Sequence, residues 1–563
     1  MNRTTVVFRA VFWIAVAMVI TYPASMSPRS LLIGHPDVDV WNHAWGFWFV
    51  PHQLASFQLP FATDLIGVPE GGDLYFIDMI GALIGTPISW VFGPAAAYNA
   101  VMIGRIAAAG MAGQTLTQEV VGPGPHTAFA GLGLATLPFL LSEMSNGISE
   151  VVAIHWIVWS LWAGVRAMSE PSRKRWVHLG LLIGITTAAS FYYGLVTIMM
   201  LAVLGGLRFV ERVRMGWRPT TAMLRDPMVG AGLSAAVALP FWGAFQWTLH
   251  SGNALIVRPK EFAVGWILSH NAVDPRTYVM PGDFQSVDLT AYGEAFVHTG
   301  YLRWVVIALA IVGLLRMPTL RHWGGAAVVS LVFGLGPILY LGDWVNVGGY
   351  SVSLPFYWAQ LLLPDVAITH PLRLSIGGQI AAVVLAAGGL AALKRAWLVP
   401  ACGVAVAVES LVFSPGPWPV PTSSAHVPDV YAAIEKDGPV LDLPGSVGAT
   451  MATSRYFWNQ TAHGRGIPYS PNVRLDSARD LEVQSAFTDP IIRESEHRVV
   501  EDPGKGPDLY QKALGRRYAA IVLHSDLEAR ANLRSAYEPV LRSVFGPPTI
   551  DGPIQVWMLE AGP

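Results

Sequence analysis

The chain of 563 residues is 53% hydrophobic and 13% charged, about half the charge of an average soluble domain, which excludes a single water-soluble globule. A net charge of −2 leaves no basic footprint for nucleic acid, and a single cysteine, Cys402, excludes a disulfide framework or a cysteine metal site. Charged residues gather in residues 421–563, so the pattern is a polytopic α-helical membrane body followed by a soluble tail.

Eleven runs are apolar enough to be read as spans: 6–22, 97–118, 126–142, 150–168, 177–191, 194–210, 229–248, 302–316, 323–341, 372–393 and 396–413. The first follows Arg3 and Arg9 and reads as a retained helix with its N-terminus in the cytoplasm.

The first external loop, 23–96, holds HPDVDVWNHAWGFWF at 35–49. Trp41, Trp45, Trp48 and Phe49 recur at helical spacing, which predicts a surface helix with its rings toward lipid, just after Asp37 and Asp39. A carboxylate at that boundary can act as a general base or bind a divalent cation; the alternative is a solvated acidic loop beside an anchoring stripe. Residues 79–93 are apolar but short and interrupted by Gly81, Gly85 and Pro87, so they predict a re-entrant or surface-lying helix. Arg105, nominally mid-span, calls for a partner or a cavity, and Asp78 is a candidate.

Further along, the turn SEMSNGISE at 142–150 offers Glu143 and Glu150. Basic residues mark the cytoplasmic loops: Arg173, Lys174 and Arg175, then Arg208 to Arg225, then Arg316 and Arg321, then Lys394 and Arg395. Eleven spans satisfy all of them, putting a tight external turn at Tyr192 to Gly194 and loops 249–301 and 342–371 outside. His35, His43, His52, His250, His270, His298 and His370 fall outside too, but no spacing such as HxxxH or HExxH joins them, so none is read as a ligand.

Body 1–413 ends at the Pro-rich linker 414–421, expected to be a stiff spacer. The tail, 422–563, reads as a small extracytoplasmic α/β domain, with strands near 439–445 and 518–525, a helix near 528–543 and a last edge strand at 556–560. Within 456–472, Asn459, His463 and Arg465 stand among aromatics, a composition suited to acceptor contact or to packing of a docked tail. No G-x-S-x-G elbow is present.

An acid after the first span, the Trp-rich helix, FGPAAAYN at 92–99, the acidic turn at 142–150 and an external tail together resemble the GT-C superfamily of integral-membrane glycosyltransferases. The likeness is to a bacterial branch with a P-x-G loop (Pro69, Glu70, Gly71) and a late helix start like HPLRLS at 370–375, and it covers residues 1–413. It implies Asp37 or Asp39 as catalytic base or metal-proximal acid, and Glu143 or Glu150 as the second external acid. It also implies a polyprenyl-phosphate sugar as donor, with Arg373, Arg258 and Lys260 as the cations near its phosphate. Glutamates stand where stricter members have an aspartate pair, and no WWD-type motif is present, which leaves Mg2+ or Mn2+ dependence open. The expected activity is transfer of a sugar to an external acceptor in a bacterial inner membrane. The competing expectation is a non-catalytic translocator or scaffold for envelope polysaccharide or lipid-carrier assembly.

Overall fold

A computed structural model describes residues 3–68, 71–217, 225–255, 272–286, 295–362, 368, 370–435, 437–443, 450–469, 518–524, 538–539, 541–543 and 545–559. Helix α1 (Arg3–Ile20) leads to strand β1 (Leu31–Ile33), helix α2 (Val40–Ala55), strands β2 (Ala62–Thr63) and β3 (Gly72–Asp73), and helix α3 (Met79–Phe92). The apolar body continues with α4 (Pro94–Val120), α5 (His126–Ala135), α6 (Pro138–Ser145), α7 (His155–Ser169), α8 (Arg173–Ala189), α9 (Phe191–Arg214), α10 (Arg225–His250), α11 (Trp304–Arg316) and α12 (Arg321–Gly334). Then come β4 (Asn346–Val347), β5 (Tyr350–Ser351), α13 (Pro355–Leu362), α14 (Ile376–Leu393) and α15 (Leu398–Val412). The tail supplies β6 (Thr422–Ser424), β7 (Val440–Leu443), α16 (Thr450–His463), β8 (Ala520–His524), β9 (Thr549–Asp551) and β10 (Ile554–Met558).

Each of the eleven apolar runs carries a helix, but fewer qualify as crossings on length and apolarity. Among the described residues five segments do so: His126–Ser145, Glu150–Ser169, Phe191–Arg214, Arg225–His250 and Pro371–Leu393. A sixth arises if Trp304–Arg316 and Pro318–Gly334, bent by 114°, form one broken span. The rest are short or, like α4 with its Asn, Arg and Gln residues, less apolar. Helix α3, at 14 residues, is about 21 Å long at 1.5 Å per residue and too short to cross unaided. Ser190 breaks α8 from α9, so Tyr192 to Gly194 lie in the first turn of α9 and not in a separate loop.

The body packs around α14, which is buried from Ile376 to Leu390, as expected of a helix apolar on every side. FGPAAAYN is a punctuation mark: Gly93, at φ +89°, ends α3, and Pro94 opens α4 at a position where its missing N–H costs nothing. The same motif then ties β1 to the turn at 142–150. Asn99 Oδ1 accepts from Ile33 N at 3.1 Å, and the Tyr98 hydroxyl donates toward the carbonyls of Ile33 and Gly147. Gly147, at φ +69°, has no room for a side chain: a Cβ there would meet Val40 Cα at 2.5 Å.

Two expectations about the exterior are corrected. Trp41, Trp45 and Phe49 do not face lipid; they are buried, and Trp45 stacks on Phe49 and meets Phe457 of α16 edge-on. The tail helix takes the apolar face of α2 that the sequence alone offered to the membrane. Nor is 414–421 a free spacer, because Trp418 Nε1 donates to Val19 O at 3.2 Å and β6 pairs antiparallel with β1.

The described part of the tail is a four-stranded sheet in the order β7-β8-β10-β9, with β7 parallel to β8 and the other pairs antiparallel. The strand expected at the sheet edge near 556–560 is therefore interior, flanked by β8 and β9. Of the helix expected at 528–543, only residues 538–539 and 541–543 lie among the described residues, and these are helical.

Candidate functional site

Charged side chains from separate segments meet where α2, the turn 142–152, the segment before α11 and the turn Pro371–Ser375 come together. Asp39 occupies the N-cap position of α2, yet its side chain makes no capping hydrogen bond. Its Oδ1 is enclosed and has no hydrogen-bond partner. Burial raises its pKa above the ordinary carboxylate value, an effect partly offset by the positive fields of His43 and Arg373. One turn on, on the same helix face, His43 Nδ1 lies 3.1 Å from Ser149 Oγ and 3.4 Å from Glu150 Oε2.

Across from α2, buried Glu143 places Oε1 3.4 Å from His298 Nδ1 and Oε2 3.6 Å from an Arg373 terminal nitrogen. The Arg373 guanidinium also lies over the Tyr192 ring, 5.5 Å from its centroid, and its Nε has no hydrogen-bond partner. Asn146 fixes this geometry: its amide exchanges two 2.8 Å hydrogen bonds with the backbone of Val297, which sets His298 beside Glu143.

Beneath the acids sits a buried ion pair. Arg105 donates to both oxygens of Asp78 at 2.7 Å and to Ser149 O at 2.6 Å. Asp78 also caps α3 through Gly81 N at 3.1 Å and accepts the Ser149 hydroxyl. Gly81 is required here, since a Cβ would fall 2.3 Å from the guanidinium and 2.4 Å from the carboxylate.

The expected site residues therefore separate. Asp39, Glu143, Glu150 and Arg373 come together, whereas Asp37 is 66% exposed, with His35 at 3.7 Å. Arg258 and Lys260 lie outside the described residues. Asn459, His463 and Arg465 belong to the interior of the tail. Asn459 donates to the Tyr431 hydroxyl at 3.1 Å, His463 stacks on the Tyr431 ring, and Arg465 binds the carbonyls of Ile434 and Glu435. Sequence reasoning missed His43 and His298 as members of the cluster, together with Ser149. The signal for His43 was present, four residues after Asp39 on a helix; for His298 and Ser149 no local signal exists.

Four carboxylates here, Asp39, Asp78, Glu143 and Glu150, face two guanidinium groups, Arg105 and Arg373, so the neighbourhood suits a bound hydrogen-donating group. A divalent ion fits poorly. Among the described residues no three His, Cys, Asp or Glu side chains are placed to hold one, Arg105 takes both Asp78 oxygens, and Glu143 faces Arg373.

No family model and no curated protein matches the sequence. Solved structures do match in fold. The chain is similar over its whole length to the arabinofuranosyltransferase AftD from Mycobacteria, at 11% identity and a TM-score of 0.59, and spans 40% of that protein. It is also similar to the oligosaccharyltransferase of Archaeoglobus fulgidus in its apo form, at 11% identity and a TM-score of 0.52, with 94% of this chain and 71% of that one covered.

Proposed function

We propose that this chain, whose fold is that of the GT-C integral-membrane glycosyltransferases, moves a sugar from a polyprenyl-phosphate carrier to a hydroxyl acceptor on the extracytoplasmic face. The observation that carries the reading is the uncapped Asp39 carboxylate, one oxygen of which is enclosed and without a hydrogen-bond partner, in the field of Arg373 at the edge of a buried cluster. The names of both structural neighbours state glycosyl transfer. Arg373 has an unpartnered Nε and only a loose contact to Glu143, so its planar fork is available to a phosphate oxygen. Asp39 accepts the hydrogen bond of the acceptor hydroxyl and aligns it with the anomeric carbon, while Arg373 offsets charge on the departing phosphate.

The direction of the helices supports this choice of membrane side. Those entering or leaving the cluster end, at their far termini, in Arg173 to Arg175, Arg212 and Arg214, Arg316, or Lys394 and Arg395. Arg9 and Arg166 meet Gln118 and Glu119 at that same far end. Basic ends belong to the cytoplasm, which supports eleven crossings, a cytoplasmic N-terminus, an external tail and a bacterial inner membrane.

The test is transfer by purified protein supplied with short-chain polyprenyl-phosphate pentoses and hexoses and a panel of glycoside acceptors. Product that forms with wild type and is lost in Asp39→Asn, with folding intact, is the expected result. Carrier binding without turnover on any acceptor would favour the translocator or scaffold reading.

A further inference from the structure

We infer that His43 is a catalytic residue, the group that takes the acceptor's proton at Nε2, and that Ser149 and Asp78 are positioning residues that hold it for that task. The inference rests on the transferase reading above and goes beyond it, since that reading leaves the proton without a destination.

Ser149 has one hydroxyl proton, and it goes to Asp78. Asp78 cannot turn away, because Arg105 holds both of its oxygens and the amide of Gly81 holds one. Ser149 Oγ therefore offers only lone pairs to His43 Nδ1, 3.1 Å away, and the Glu150 Oε2 carboxylate oxygen, 3.4 Å from the same nitrogen without a hydrogen bond, adds a negative field there. The Ser149 amide also points at Nδ1, but at 3.4 Å it is the longer of the two hydrogen-bond contacts, and the nearby carboxylate favours an N–H over a lone pair at that nitrogen. The neutral ring thus carries its proton on Nδ1. Both described hydrogen bonds of the His43 ring fall on that nitrogen, which leaves the Nε2 lone pair uncommitted.

This is the logic by which a carboxylate orients a basic imidazole, with a serine hydroxyl inserted between the two. When His43 becomes imidazolium, Glu150 stands beside the new charge and Asp39 lies one turn away. Asp39 itself is a weaker candidate for the terminal base, because its enclosed Oδ1 lacks a donor that would fix the ionised form.

The step balances. The acceptor O–H bond breaks and its proton forms a bond to Nε2. The acceptor oxygen forms a bond to the anomeric carbon as the bond from that carbon to the phosphate oxygen breaks, and the electron pair leaves on polyprenyl phosphate. The proton then passes from Nε2 to solvent or to the departing phosphate.

The experiment measures the pH dependence of kcat/KM for transfer from a polyprenyl-phosphate sugar. The titratable and charged groups facing His43 from every packed element are Asp39, Asp78, Arg105, Glu143, Glu150, His298 and Arg373, and all are kept. In His43→Gln, kcat should fall at least 100-fold with little change in donor KM, and the acid limb of kcat/KM should disappear. In His43→Ala, added imidazole should restore part of kcat. Ser149→Ala should lose about tenfold in kcat and move the acid limb, and Ser149→Thr should recover both, so the inference remains testable if the His43 variants misfold. Retention of kcat within threefold in His43→Gln, or loss of activity with an unchanged acid limb and no rescue, would overturn it. Absence of transfer by wild type would instead remove the transferase reading, and this inference with it.

Discussion

Asp78 and Arg105, 27 residues apart, form a two-point ion pair with both N–O distances at 2.7 Å, and each side chain is at most 4% exposed. The pair joins the cap of α3 to the middle of α4, and through Ser149 it reaches His43 on α2. Breaking one partner of such a pair leaves a bare charge in a low-dielectric interior and typically costs about 3–5 kcal/mol. Asp78→Asn and Arg105→Met should each lower the unfolding temperature in detergent by several degrees. The double variant Asp78→Asn/Arg105→Met should be less destabilised than the sum of the two.

The two loop aspartates should behave differently. Asp39→Asn should reduce transfer at least 100-fold at unchanged expression, whereas Asp37→Asn, on an exposed side chain, should stay within twofold of wild type. Initial rates on matched amounts of purified protein decide this.

Burial holds the folded pKa of Asp39 above its ordinary 3.8, against the opposing fields of His43 and Arg373. An acid whose pKa rises on folding favours the native state at low pH, and that contribution is lost as pH climbs through the folded value. Asp39→Asn cannot ionise, so its stability relative to wild type should grow as pH rises above about 4. Unfolding temperatures of both proteins across that range read the difference. A gap independent of pH would contradict the assigned burial.

In the tail the sign is reversed. Burial is the main cause pushing the His463 pKa down to about 4; Asp442 opposes it and Arg465 adds to it. A histidine depressed on folding costs stability as pH falls from its unfolded value near 6.5 toward 4. His463→Phe keeps a ring against Tyr431 but cannot be protonated, so acidification should destabilise it less than wild type, as measured by unfolding of the full chain.

Gln460 is buried and links three pieces. It accepts from Trp45 Nε1 at 2.8 Å and donates to Leu65 O at 2.6 Å and Arg465 O at 2.8 Å. Gln460→Ala takes their partner from the Trp45 N–H and the Arg465 carbonyl, at about 1–3 kcal/mol for each group left unsatisfied, while Leu65 O keeps the Ile467 amide. The tail should then loosen from α2, seen as faster proteolytic cleavage within 414–421.

Much of the body was legible because helix formation is local. The apolar runs became helices, the interrupted run at 79–93 became the short α3, and Asp78 met Arg105 as the cost of a buried arginine demands. The aromatic stripe of α2 was read with the right period and the wrong partner. Periodicity shows that a face must be covered; it does not distinguish lipid from a protein helix 400 residues further along. For Asn459 and His463 composition left acceptor contact and packing both open, and the structure places each against Tyr431 within the tail.

A many-helix apolar chain with acids after its first helix and a charged tail can be read from the residues alone, because apolar content and spacing act over a few neighbouring residues. That Asp39 and not Asp37 joins Glu143, Glu150 and Arg373, and that His43 and His298 stand among them, emerges only from the folded arrangement. Those choices depend on close packing of segments up to hundreds of residues apart, where one glycine at 147 and one asparagine at 146 set which side chains meet.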